Sequence, residues 1–323
     1  MPATGSQRSS KQVSGDDIVV ETAWLYYEDG LNQNEIAAVL DVSRATVVNY
    51  LQLARERGFV QVRLAHEAFT GHRLAMELRE TFGLLAAFVL PQREDTVDIA
   101  ARVVKGAADW LPSLLAPGDR LGVAWGKTIY DVAECLEPRP IAGLTVLQLV
   151  GSMATPYGFS ADVCSSNVAR KLGATCVNLH VPAVLSDAEI ARTLREEQLI
   201  AAQFEAMNSF NKTLFAVGSC TEESHVVSSG VATRGELAWY LDHGAVGVLC
   251  GRFIDSRGAH IEGPLDERMM AVDLERLRQR EAGILVSAGS DRVSAAVAAI
   301  SGGYVTHLVT GEADAVAMLA AAP

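Results

Sequence analysis

Five short glycine-containing segments hold most of the polar residues that could act on a ligand: Trp125-Gly126-Lys127-Thr128, Gly151-Ser152-Met153, Gly218-Ser219-Cys220, Gly251-Arg252 and Gly289-Ser290. Each follows a strand-like apolar run. Glycine at such a strand end lets the backbone approach a ligand, and a helix starting at Lys127-Thr128 offers free N–H groups to an anion. A phosphate or a polyol suits that geometry. Lys127 can pair with phosphate or carboxylate, or form a Schiff base with a sugar aldehyde if its pKa is lowered; the competing reading is a solvated lysine at a helix start. Arg292, just past Gly289-Ser290, is a second anion clamp. Asp255 either accepts hydrogen bonds from sugar hydroxyls or forms the turn before Ser256-Arg257-Gly258. One such loop is an ordinary structural turn, whereas five on one sheet edge carry information.

Other chemistries find no support. Gly-x-Ser-x-Gly, the Walker pattern and H-E-x-x-H are absent, and His180, His225, His243 and His307 stand isolated, as packed or surface histidines do. The five cysteines, Cys135, Cys164, Cys176, Cys220 and Cys250, show no C-x-x-C pair or zinc-ligand spacing. They read as reduced thiols of a cytoplasmic protein, and no metal or cofactor is expected.

A second chemistry lies near the start. Asn32 to Leu40, Asp41-Val42 and Ser43 to Leu51 read as two short helices joined by a tight turn, with Ile36, Ala37, Leu40, Val42, Val47 and Leu51 spaced to share one small core. Asn32 caps the first of them with Glu35 completing a capping box, and Ser43 caps the second. This is a helix-turn-helix. Its second helix would enter the major groove, with Ser43 at its start, Arg44, Thr46 and Asn49 reaching base edges, and Tyr50, Arg55 and Arg63 holding phosphates. The net charge of -12 over 323 residues opposes DNA binding by the chain as a whole. Between Ser43 and Leu64, however, Arg44, Arg55, Arg57 and Arg63 face the single acid Glu56, a local charge of +3.

The elements around these residues follow from pattern. Residues 1–15 are small and polar and read as a disordered arm without signal peptide or membrane span. Ile18, Val19, Ala23, Trp24 and Tyr27 make a first helix ended by Gly30. Phe59 to Leu64 alternates as a half-buried strand, the wing of a winged helix-turn-helix domain over 16–65. A helix within 66–83 connects to an effector-binding and oligomerisation domain over 84–323. There the strand-like runs are Leu84 to Leu90, Arg120 to Ala124, Thr145 to Val150, Thr175 to Leu179, Thr213 to Val217, Ala245 to Cys250, Ile284 to Ala288 and Tyr304 to Thr310. Helical stretches such as Thr96 to Leu115, Lys127 to Leu136, Asp187 to Met207 and Asp291 to Ile300 alternate with them. The alternation predicts an α/β, Rossmann-like, mostly parallel sheet covered on both faces, with ligands outside the carboxyl ends of its strands.

These residues resemble a known family. Leu25 to Leu64, with Gly30-Leu31-Asn32-Gln33-Asn34-Glu35-Ile36-Ala37 and Ser43-Arg44-Ala45-Thr46-Val47, is similar to the winged helix-turn-helix of SorC/DeoR-type sugar-binding transcriptional regulators. Leu121 to Thr128, Val248 to Asp255 and Ser287 to Arg292 resemble that family's effector loops. The resemblance implies a repressor or activator whose effector domain is similar to phosphosugar isomerases and deaminases but lacks their catalysis. It also implies homodimers or homotetramers on operator DNA, and a sugar, sugar phosphate or polyol as effector. Its contacts, carried over residue by residue, are Gly126, Lys127, Thr128, Gly151, Ser152, Asp255, Gly289 and Arg292. Two positions depart from the family pattern: Asp41 where the turn usually has glycine, and Arg292 where lysine is common. The alternative is a phosphosugar isomerase or deaminase-like enzyme with an accessory helical domain, for which Asp255 is the one nominated base.

Overall fold

The computed structural model describes residues 15–60, 69, 72–92, 98–153, 159–221 and 223–322. The chain divides into two compact units, residues 1–64 and 65–323. In the first, helices α1 (Gly15–Tyr27), α2 (Gln33–Leu40) and α3 (Arg44–Glu56) follow the local signals closely. The Asn32 side chain accepts from the backbone N–H of Asn34 at 2.9 Å and of Glu35 at 3.1 Å, and the Glu35 carboxylate accepts from the Asn32 N–H at 2.7 Å. This reciprocal box satisfies donors that the first turn of α2 leaves unpaired. Asp41 ends α2 in the left-handed region, φ 52° and ψ 47°, and turns the chain into Ser43, whose Oγ accepts from the Thr46 N–H at 3.1 Å. Two small cores result. Ile36, Val47 and Leu51 form one, and Val19, Ala23 and Ala54 form the other.

The expected wing strand is largely outside the described residues, as are Arg63, the arm up to residue 14 and the first residues of the expected connector. Phe59 and Val60 are described and are not in a strand; Val60 packs on the Val19–Ala23–Ala54 cluster.

The second unit includes the helix Arg73–Phe82, whose Leu74, Ala75 and Leu78 are buried in its main core. Among the described residues, seven strands form one parallel sheet: β1 (Ala86–Leu90), β2 (Arg120–Val123), β3 (Thr145–Gln148), β4 (Thr175–Val177), β5 (Lys212–Phe215), β9 (Ala282–Val286) and β10 (His307–Gly311). Their order is β1-β10-β9-β5-β2-β3-β4. All five residues of β9 are buried, as expected of a central strand covered by helices on both faces. The covering helices divide the apolar interior into two clusters. The order places β9, β5 and β2 side by side, so the loops leaving their carboxyl ends are neighbours.

Two expectations are corrected. The run Ala245 to Cys250 does not join the large sheet. It instead supplies β7 (Gly247–Leu249) of a separate antiparallel sheet with β6 (Gly218–Ser219) and β8 (Arg252–Ile254). Cys250 and Gly251 both have positive φ, 51° and 83°, the geometry of a two-residue hairpin turn. The stretch Asp187 to Met207 is two helices, Ala188–Glu196 and Gln198–Met207, broken where Glu197 adopts an extended ψ of 129°.

Candidate functional site

The β2 loop, the segment after β5 and the turn after β9 enclose a cavity of about 200 Å³. From the β2 loop come Gly126, Lys127 and Thr128. The segment after β5 contributes Gly218, Ser224 and His225; the β9 turn contributes Asp291 and Arg292, and the β7–β8 turn Cys250 and Gly251. Gly126 is at φ 115°, a conformation that a side chain resists. It precedes the helix Lys127–Cys135, whose first turn has no side-chain cap among the described residues. The uncapped N–H groups of that turn therefore remain available to an anion beside the cavity.

Cations from two loops meet here. Arg292 donates from Nη1 to Thr128 Oγ1 at 3.0 Å, tying the β9 turn to the β2 loop, and its Nε lies 3.8 Å from Asp291. Lys127 is paired with Asp131 one helical turn on and is largely exposed. Burial, reinforced by Arg292 and Lys127, lowers the pKa of His225 below the ordinary histidine value. The thiols nearby are inert by the same physics: burial pushes Cys220 up to about 12 and Cys250 likewise to about 12.

Of the eight expected effector contacts, the structure thus places Gly126, Lys127, Thr128 and Arg292 on one cavity. Gly289 sits just behind it at φ 114°, its N–H donating to Asp314 at 2.8 Å. The other three lie elsewhere. Gly151 packs against the carbonyl of Pro182, where an added Cβ would come within 2.6 Å, and Ser152 exchanges backbone hydrogen bonds with Val181 and Ala183. The Asp255 carboxylate accepts from the N–H of Arg257 at 2.9 Å and of Ala259 at 2.8 Å, the turn-forming alternative of its two readings. His225 is isolated in sequence, and no periodicity signals that a loop after β5 packs beside Lys127 and Arg292.

Another buried charge, Arg252, is structural. It donates to Val272 O, Asp266 and Asp273, while Asp266 also accepts from His260, the Gly263 N–H and Tyr240. Burial raises the Asp266 pKa, but these donors outweigh it and bring the carboxyl down to about 2. The network anchors β8 to the segment that follows it.

In the first unit, α3 buries Val47, Leu51 and Ala54 and turns Arg44, Asn49 and Arg55 to solvent. Arg44 Nε donates to Gln33 Oε1 at 3.2 Å, which steadies its stem at the helix start. The hydroxyls of Ser43 and Thr46 are 2.8 Å apart and engaged in the cap. Tyr50 is half-buried against the Val19–Ala23–Ala54 cluster. Val48, 42% exposed, and Gln52 share the face of Arg44 at spacings of four, a signal already present in the sequence. An exposed apolar side chain there suits a thymine methyl group.

Comparison with known proteins places these features in context. The Sugar-bind family model, a sugar-binding domain, matches residues 66–320. The chain is 36% identical over 319 residues to the uncharacterized transcriptional regulator YjhU of Escherichia coli K12, covering 97% of each. It is 31% identical over 303 residues to the deoxyribonucleoside regulator of Bacillus subtilis 168, covering 93% of this chain and 96% of that one. The full-length sorbitol operon regulator SorC from Klebsiella pneumoniae shares the fold with a TM-score of 0.78, over 94% of this chain and 99% of that chain, at 23% identity.

Proposed function

The chain belongs to the SorC/DeoR-type transcriptional regulators with a Sugar-bind domain, and we propose that a sugar, sugar phosphate or polyol bound in the Lys127–Arg292 cavity controls its grip on the operator of a carbohydrate or polyol catabolic operon. The observation that carries this reading is the convergence of Gly126–Thr128 and Arg292, from two strands far apart in sequence, on one cavity at the carboxyl edge of the sheet. Two cations and an uncapped helix start favour a ligand with an anionic end, so a phosphorylated sugar is the preferred class.

In the other unit, Arg44 and Asn49 read base edges while Arg55 contacts phosphate. The Ser43–Thr46 cap sets the first turn of α3 so that these side chains project together. A single helix-turn-helix with so few arginines binds weakly, so the regulator acts in the cytoplasm as a homodimer or homotetramer that holds copies at helical-turn spacing. The effector then acts on that spacing.

A thermal-shift screen of sugars, polyols and their phosphates tests the cavity. A ligand at 100 times its Kd stabilises the fold by about 2.7 kcal/mol. A phosphate ester should raise the unfolding midpoint of the unsubstituted chain and leave Arg292→Ala unmoved. An equal shift in the variant would reject the cavity as its site. The enzyme alternative is not favoured: the relatives are named as regulators, and Asp255, its nominated base, is engaged in a turn. Turnover of a pentose or hexosamine phosphate would reinstate it.

A further inference from the structure

The short helix His225–Ser228 follows β6 and sets His225 on the cavity wall. One face of its imidazole lies against Phe159, with ring centroids 5.1 Å apart and 30° between the planes. Neither ring nitrogen has a hydrogen-bond partner among the described residues. The imidazole is half-buried on the cavity wall and its nitrogens are not sealed from solvent, so they are open to a ligand that enters beside Arg292 and Lys127. The cations acting on it are Arg292 and Lys127, which line the same cavity. Among the described residues, the carboxylates on these groups are Asp291 beside Arg292, Asp131 on Lys127 and the exposed Glu223 of the cavity lining.

We infer that His225 is an effector-binding residue: in its protonated form it supplies the third positive group of the cavity and donates a hydrogen bond to an anionic ligand, so that binding takes up a proton. This rests on the effector reading of the cavity given above. In the free protein, burial and the two cations disfavour the imidazolium. A bound dianion offsets Arg292 and Lys127 and gives a ring N–H an acceptor, which favours the imidazolium and raises its pKa. One proton passes from buffer to the ring, and none comes from the ligand. Because the complex holds this proton more tightly than the free protein, affinity rises as pH falls from the bound-state pKa towards the free-state value, which lies below about 6.5.

Inorganic sulfate is the probe, because it is tetrahedral and doubly charged and does not titrate near neutrality. Calorimetric titration of the full chain at about pH 6.5, in two buffers of different ionisation enthalpy, reads proton uptake directly. The expected result is a buffer-dependent enthalpy showing uptake of a fraction of a proton. Affinity should also increase by up to about tenfold per pH unit as pH falls. His225→Gln, which keeps a hydrogen-bonding amide, should bind sulfate with neither dependence. Sulfate binding without proton uptake, or with the same uptake in the variant, overturns the role of His225 and leaves the cavity reading standing. Failure of the unsubstituted chain to bind sulfate overturns both. The proton uptake of the unsubstituted chain remains decisive if the variant does not fold.

Discussion

Ile36→Ala should separate the two activities of this regulator. Ile36 has no accessible surface and sits with Val47 and Leu51 in the small core that joins α2 to α3. The substitution removes three carbons, worth about 2.4 kcal/mol at about 0.8 kcal/mol per methylene, and the residual cavity places the total cost at about 2–5 kcal/mol. A unit of roughly 50 residues has only about 3–8 kcal/mol to lose, at about 0.05–0.15 kcal/mol per residue. The apolar clusters of the second unit share no residue with this core. Operator binding in a gel-shift titration at fixed salt should therefore fall steeply, and amide exchange across α2 and α3 should accelerate. Stabilisation of the second unit by its effector should be retained. Unchanged operator affinity, or loss of the effector-induced shift, would refute the independence of the two cores.

Three further outcomes are expected. Arg44→Ala should weaken specific operator binding by about 1–3 kcal/mol if Arg44 makes a bidentate base contact, and an unchanged gel-shift midpoint would reject that contact. Borohydride treatment with an aldehyde-bearing sugar phosphate should trap an adduct at Lys127 if this lysine forms a Schiff base; an intact mass would leave Lys127 as a charge partner only. His307 lies beside Trp110 and is held below the ordinary histidine value by burial, then by Lys212 and Arg280. The unfolded chain thus binds this proton more readily, so stability is fully present above about pH 6.5 and is lost as pH falls through that value towards the folded pKa. The unfolding midpoint should drop between about pH 7 and pH 5.5, less so in His307→Gln, and an equally steep drop in the variant would reject the assignment.

The helix-turn-helix was legible because its signals are local: Asn32 and Glu35 box one helix start, Ser43 caps the next, and aspartate tolerates the left-handed turn at Asp41. The parallel sheet was legible from its buried apolar runs and intervening helices. The placement of Val248 and Leu249 was not, since a short apolar run carries no period that tells one sheet from another. Nor does Glu197 announce a helix break, lacking the glycine or proline that usually marks one. At the site, Lys127 and Arg292 could be nominated because each follows a strand end, while Asp255 and Ser152 share that position yet satisfy their own loops. His225 lay beyond the reach of spacing, because only strand order brings the loop after β5 between those after β2 and β9.

Effector control of DNA binding is tested most directly by fluorescence anisotropy of the full chain on an operator selected from random duplexes, with and without the ligand found by thermal shift. The unsubstituted chain should change its operator affinity about tenfold or more on saturation, a coupling of roughly 1.4 kcal/mol, and Arg292→Ala should bind the operator equally with and without ligand. An operator affinity indifferent to a ligand that demonstrably fills the cavity would contradict the proposed function.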